Sequence, residues 1–204
     1  MKEEQESIPS QYEGKQIDLE TRTSCDSKSE AKEFYSIVRG RLLRVFEWYT
    51  IAKIPAATFV LTDNLGNEIL REVREGDTVR IDIPGPGTSL GDGYDWVHVE
   101  KIVEGVTDEG EYCSITLRPT SNPTNPDEEV AHFFKRMATS TLLIKRENRD
   151  VIAEYHGRNE VVNSDITKVT DKIRNIVVGI AAKLGLSFSQ WKSLIEGLVE
   201  KEEK

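Results

Sequence analysis

From residue 58 onward the chain reads as a series of short strands separated by polar turns. Thr58–Thr62, Glu68–Val73, Thr78–Ile83, Tyr94–Val103 and Glu111–Arg118 follow one another across Asp63-Asn64-Leu65-Gly66-Asn67, Gly76-Asp77 and Thr107-Asp108-Glu109-Gly110. Successive side chains of a strand point to alternate faces, and short polar turns join antiparallel neighbours. Val79, Ile81 and Ile83 alternate with Arg80 and Asp82, so one face is expected to be wet and the other to need a cover.

Helical patterns supply candidates for that cover. Ile166, Val169, Ile173, Ile176, Val177, Ile180 and Leu184 mark a helix whose second half is apolar nearly all round, with Gly185 placed to end it. Ser187 and Gln190 form a capping box ahead of Trp191, Leu194, Ile195 and Leu198. Near the start, Ile17, Leu19 and Thr21 alternate with charged residues as a strand does. Ser27 with Glu30 then caps a helical stripe from Ala31 to Tyr49, one helix or two with a break near Gly40. Asn125, Pro126 and the stripe Val130, Phe133, Phe134 and Met137 predict a short helix over Asp127–Met137. Thr141–Lys145 and Val151–Tyr155 predict a second hairpin through Glu147-Asn148-Arg149-Asp150. Eight strands result. The pattern fits an α+β domain in which a curved antiparallel sheet packs on a long C-terminal helix. The alternative is a small SH3-like or OB-like β-barrel over Thr58–Arg118 with added helices.

Charge narrows the partners. Acidic residues number 36 against 27 basic ones, and the net charge of −9 repels nucleic-acid phosphates and anionic lipid. Met1-Lys2-Glu3-Glu4-Gln5-Glu6 has no apolar targeting segment, and Ile176–Ala182 is too short to span a bilayer. Cys25 and Cys113 have neither metal-ligand spacing nor the density of a disulfide scaffold. A cytoplasmic protein working without metal, cofactor or disulfide is expected, with residues 1–15 as a mobile acidic tail and 16–204 as a single α+β domain.

Motifs of chemistry are sparse. Gly85-Pro86-Gly87-Thr88-Ser89-Leu90-Gly91-Asp92-Gly93 is followed by a strand, where a phosphate cradle needs a helix, so it reads as a mobile loop between strands. His98, His132 and His156 fit no ligand spacing, no nucleophile elbow occurs, and no catalytic residue is assigned. Arg39, Arg41 and Arg44 read as a solvated helix face. His98 shares a strand face with Trp96 and Glu100. His156-Gly157-Arg158-Asn159-Glu160 is the densest polar cluster, in which Arg158 could hold an anion or Gly157 and Asn159 could turn the chain.

Ile17-Asp18-Leu19-Glu20-Thr21-Arg22-Thr23-Ser24, leading into Ala31–Phe34 and Phe46-Glu47-Trp48-Tyr49, resembles the START/Bet v 1/polyketide-cyclase superfamily, as does the order of elements. Gly76–Gly87 and Tyr94-Asp95-Trp96-Val97 are also similar to segments of uncharacterised bacterial proteins of Bacteroidetes type. The resemblance implies a helix-grip fold and a cavity for a small, partly apolar or lipid-like ligand. It would lie where Val79, Ile81, Val97, Val99, Ile115 and Leu117 face the helix Ile166–Leu184. Trp48, Tyr49, Trp96 and His98 are the expected rim and Arg158 the anion-directed donor. A protein-interaction module that pairs or self-associates through Trp191, Leu194, Ile195 and Leu198 is the alternative. Replacing Val177 by Asp should bury an unpaired charge and cost several kcal/mol, read as a lowered melting temperature; an unchanged one would place that helix at the surface.

Overall fold

The computed structural model describes residues 7–52, 57–82, 92–108, 110–125, 130, 132, 134–162 and 188–201. Among these residues seven strands form one antiparallel sheet: β1 (Lys15–Ser24), β2 (Thr58–Thr62), β3 (Thr78–Asp82), β4 (Asp95–Val106), β5 (Glu111–Pro119), β6 (Thr139–Glu147) and β7 (Asp150–Glu160). Their spatial order is β1-β7-β6-β5-β4-β3-β2, a meander whose last strand returns to pair with the first. Among the described residues the sheet is open, with β1 and β2 at its edges. This is the helix-grip-like α+β arrangement. The barrel over Thr58–Arg118 is not formed, because β5 pairs onward with β6 instead of closing on β2.

Helix α1 (Lys28–Leu43) begins where the capping pattern places it: Ser27 Oγ accepts from Glu30 N at 3.1 Å, and the Glu30 carboxylate accepts from Asp26 N at 2.8 Å. It runs through Gly40, then gives way at Arg44 to a 3-10 turn (Val45–Glu47) and a short α2 (Trp48–Ile51). Ala31, Phe34, Tyr35, Val38 and Leu42 turn inward against the sheet. Residues 188–198 form a further helix, α3, in which Trp191, Leu194, Ile195 and Leu198 are all buried. The apolar stripe expected as a free interaction surface is therefore core. Gly197 allows this packing, since a Cβ there would lie 1.9 Å from the Ile51 carbonyl oxygen. The long helix expected over Ile166–Leu184 falls outside the described residues.

Trp191 sits at the centre of an aromatic group. It stacks on Tyr155 of β7 with ring centres 4.9 Å apart, and meets Phe59 of β2 at 5.8 Å and Trp48 of α2 at 6.4 Å. Strands β7 and β2 are five steps apart in the sheet order, about 24 Å if the sheet were flat. One indole reaches both, so the sheet is curled around α3.

Three expectations change. Glu68–Val73 is not a strand: it meets β2 only at the bridge Thr62–Glu68 and through Ile69 N to Leu61 O, 2.9 Å. Asp63 Oδ1 accepts from Leu65 N and Asn67 N, each at 2.9 Å, closing a side-chain turn. Val73 N then donates to Leu43 O at 2.8 Å, drawing the segment to the end of α1. Where residues 127–137 are described, they are not helical: Phe134 bridges Val162, and Ala138 N donates to Lys135 O in a turn. Residues 10–14, assigned by composition to the tail, are held in place, with Asn159 Oδ1 accepting from Tyr12 N at 2.7 Å. Replacing Trp191 by Ala should cost about 3–5 kcal/mol in urea denaturation; a loss below about 0.5 kcal/mol, the size of a typical surface change, would show that the curl does not depend on it.

Candidate functional site

Alternation along the strands sorts side chains onto two faces. Val79, Ile81, Val97, Val99, Ile115 and Leu117, the residues expected to line a cavity, are buried in one cluster with side chains of α1 and α3. The opposite face was expected to be wet. At β1 it is, with residues alternately exposed and half-buried. At the centre of the sheet it is not. Trp96 on β4, Tyr112 and Ser114 on β5, Leu143 on β6 and Ile152 on β7 all have 4% exposure or less. Both Tyr112–Leu117 and Thr139–Ile144 lack a charged residue, which is the sequence signature of strands buried on two sides.

Polar groups on this second face are satisfied in an uneven way. Thr116 Oγ1 and Thr141 Oγ1 bond to each other at 3.0 Å across β5 and β6. Ser114 Oγ and Thr139 Oγ1 are buried and have no hydrogen-bond partner. Toward the β1 edge lies an ionic cluster centred on His156. Its Nδ1 is 2.6 Å from Asp18 Oδ1 and its Nε2 is 2.7 Å from Glu154 Oε2. Lys145 Nζ lies 3.0 Å from Glu154, and the Arg158 guanidinium donates to Asp18 at 2.6 Å.

The electrostatics follow from these contacts. Burial works against the His156 imidazolium, but hydrogen bonds to Glu154 and Asp18 outweigh it and raise its pKa above the ordinary 6.5. Burial also opposes ionisation of Asp18; bonds from His156, Gln16 and Arg158 prevail and hold its carboxyl at about 2. Glu154 is likewise held below the usual carboxylate range, its burial overcome by His156 and Lys145. An imidazolium donating from both nitrogens has no lone pair for a substrate proton. The cluster ties β1 to β7; it is not arranged as a general base.

The five residues expected at a pocket are not gathered into one. Trp48 is fully buried on the first face, its Nε1 donating to Arg41 O and Leu42 O. Tyr49, beside it in sequence, is 46% exposed. Trp96, His98 and Arg158 share the second face. His98 pairs across the ladder with Arg118 and Thr139 with Arg158, and burial lowers the His98 pKa. Arg158 is 8% exposed and gives its hydrogens to Ile17 O, Gly157 O and Asp18, so the expected anion-directed donor is engaged within the fold.

Beyond Arg158 a bulge with Asn159 at φ 55° resets the alternation and brings Glu160 back beside Tyr155, whose hydroxyl donates to it at 3.3 Å. Burial raises the Glu160 pKa. The three helix arginines also have partners: Arg39 pairs with Glu104, Arg41 donates to Leu198 O and Glu200 O, and Arg44 pairs with Glu47. The open groove of about 480 Å³ beside Arg41 and Arg44 is thus no anion site. Residues 83–91 of the glycine-rich loop lie outside the described residues. Asp18, Glu154, Ser114 and Thr139 were not found by sequence reasoning. Asp18 and His156 are 138 positions apart, and only the β1–β7 register pairs them.

Cys25 and Cys113 are both free and buried. Among the described residues no group of acidic, His and Cys side chains could hold a metal ion, and no helix is long and apolar enough to cross a membrane.

No family model matches the chain, and no curated protein matches it. Among solved structures, a hypothetical protein of Helicobacter pylori is similar at 9% identity, with 89% of this chain and 86% of that one covered and a TM-score of 0.48. A major latex-like protein of Panax ginseng is similar at 14% identity, covering 90% and 97%, TM-score 0.36. The ZhuI aromatase/cyclase of Streptomyces sp. R1128 is similar at 11%, covering 90% and 94%, TM-score 0.37. Likenesses of this size say nothing about activity, and the fold stands on the strand pairing itself.

The ionic cluster makes stability depend on pH with a definite sign. His156 has a raised folded pKa, so its contribution is complete below the unfolded value of 6.5 and lost as pH rises through the folded one. Asp18 and Glu154 have lowered folded values; their contributions are complete above the ordinary carboxylate range and lost as pH falls, reaching about 2 for Asp18. Melting temperature should decline on both sides of a mildly acidic plateau, and His156→Asn should flatten the alkaline decline. An unchanged alkaline slope would assign that titration to another group.

Proposed function

We propose that this chain binds a small, partly apolar or lipid-like ligand on the second face of its sheet, with no catalysis assigned. The observation that carries this reading is the pair of buried, unpartnered hydroxyls of Ser114 and Thr139 on a face shared with Trp96, Tyr112, Leu143 and Ile152. Leaving a buried hydroxyl unpaired costs about 1–3 kcal/mol, and a ligand group that pairs with it removes that cost. A mainly apolar surface with a few placed polar groups is the usual make-up of a small-molecule site. Trp96, His98 and Arg158 belong to this site as its flanking residues, His98 and Arg158 in one cross-strand row that includes Arg118 and Thr139. The protein-interaction alternative loses its proposed surface, since the α3 stripe is buried.

Nile red, a neutral dye that brightens in apolar surroundings, tests the reading. Saturable one-to-one binding by the wild-type chain, weakened at least tenfold in a Ser114→Leu variant that melts like the wild type, is the expected result. Failure of the dye to bind saturably would overturn it.

A further inference from the structure

We infer that the Asn159–Glu160 bulge is a proton-gated latch on the N-terminal segment: with its carboxyl neutral, Glu160 folds inward and residues 10–13 are held; with it ionised, the bulge straightens and releases them. The device lies at the end of β7 and needs no ligand. Asn159 supplies the hold. Its Oδ1 accepts from Tyr12 N at 2.7 Å and Glu13 N at 3.2 Å, its Nδ2 donates to Ser10 O at 3.0 Å, and its backbone N donates to Gln11 Oε1 at 2.8 Å. These bonds require Asn159 to stand at φ 55°, outside the range of a strand. The same dihedral decides where Glu160 points. Regular alternation from Tyr155 would send residue 160 to the second face with His156 and Arg158, and the left-handed residue turns it inward instead. Straightening the bulge therefore moves the carboxyl and undoes the grip in one step.

Inside, the carboxyl is poorly served. Glu160 is 7% exposed; its Oε1 accepts a long bond from the Tyr155 hydroxyl at 3.3 Å, and its Oε2 is buried with no hydrogen-bond partner among the described residues. A neutral acid tolerates such a place far better than a carboxylate. Lys15, opposite on β1, and Arg158 on β7 are the charges that favour ionisation; β6 contributes the uncharged Ser140, and α3 sets Trp191 against Tyr155. Burial outweighs both cations and raises the pKa. The held form is thus fully favoured below the ordinary 4.5 and lost as pH rises through the raised value. Gly157 makes the inward position possible, since a Cβ there would collide with Glu160 Oε1.

Amide exchange at Tyr12 and Glu13, taken as protection relative to an unstructured chain at the same pH, reads the latch directly, because both amides donate to Asn159. The factor by which inward burial strengthens proton binding at Glu160 is the factor by which ionisation weakens the hold. Wild-type protection should fall at least about tenfold from about pH 4 to about pH 8, while Ile115 and Leu142 in the sheet core keep theirs. The Glu160 carboxyl carbon, followed by NMR, should titrate with the same midpoint, above 4.5. Glu160→Gln, neutral at every pH, should stay protected throughout. Gly157→Ala, whose methyl displaces the carboxyl, should lose protection at every pH. His156→Asn should follow the wild type. Flat wild-type protection, a fall shared by the core amides, release in Glu160→Gln, or a fall abolished by His156→Asn would each overturn the inference.

Discussion

Contact of Trp191 with Tyr155 and Phe59 is the constraint from which the rest of the architecture follows. The two partners belong to strands that a flat sheet would hold far apart, so the sheet must curl for one indole to reach both. Curling brings the apolar side chains of β3 to β7 over α1 and α3 and encloses a single cluster. Trp48 completes the arrangement by donating its indole hydrogen to carbonyls at the end of α1, which fixes the approach of α2. Gly197 completes it from the other side, because only a residue without a side chain lets α3 come so close to Ile51.

Much of this was legible in the sequence because it is carried by local signals. The Ser27–Glu30 cap, the β4–β5 turn and the β6–β7 hairpin each depend on residues a few positions apart. Glu68–Val73 misled for the converse reason: its apolar pattern is strand-like, but Val73 bonds to Leu43 and so leaves the sheet. The candidate site was legible only in part. Trp96, His98 and Arg158 were picked out by residue type and do share a face. Trp48 and Tyr49 were chosen the same way, and one is core while the other is surface. Ser114 and Thr139 have no distinctive sequence neighbourhood; their character comes from lacking a partner, which a sequence does not record.

Two kinds of polar arrangement therefore coexist on the second face. Near β1 the charges of Asp18, Glu154, Lys145 and Arg158 are each met by another, and the His156 ring is saturated by carboxylates on both nitrogens. In the middle of the sheet two hydroxyls are left unmet. The first arrangement makes the sheet specific in its register, since a one-residue slip of β1 would turn Asp18 away from both His156 and Arg158. The second leaves capacity for hydrogen bonding that the fold itself does not use.

The open edge at β1 has a further consequence. A ten-residue strand with one side unpaired among the described residues is a template on which another extended chain can grow, and uncontrolled growth of that kind is aggregation. Lys15, Asp18, Glu20 and Arg22 place charges of both signs along this strand. An incoming strand would have to desolvate them, whatever its own sequence. The side chains that anchor β1 to its neighbour thus also discourage neighbours of the wrong kind, which lets the sheet stay open at that end without becoming adhesive.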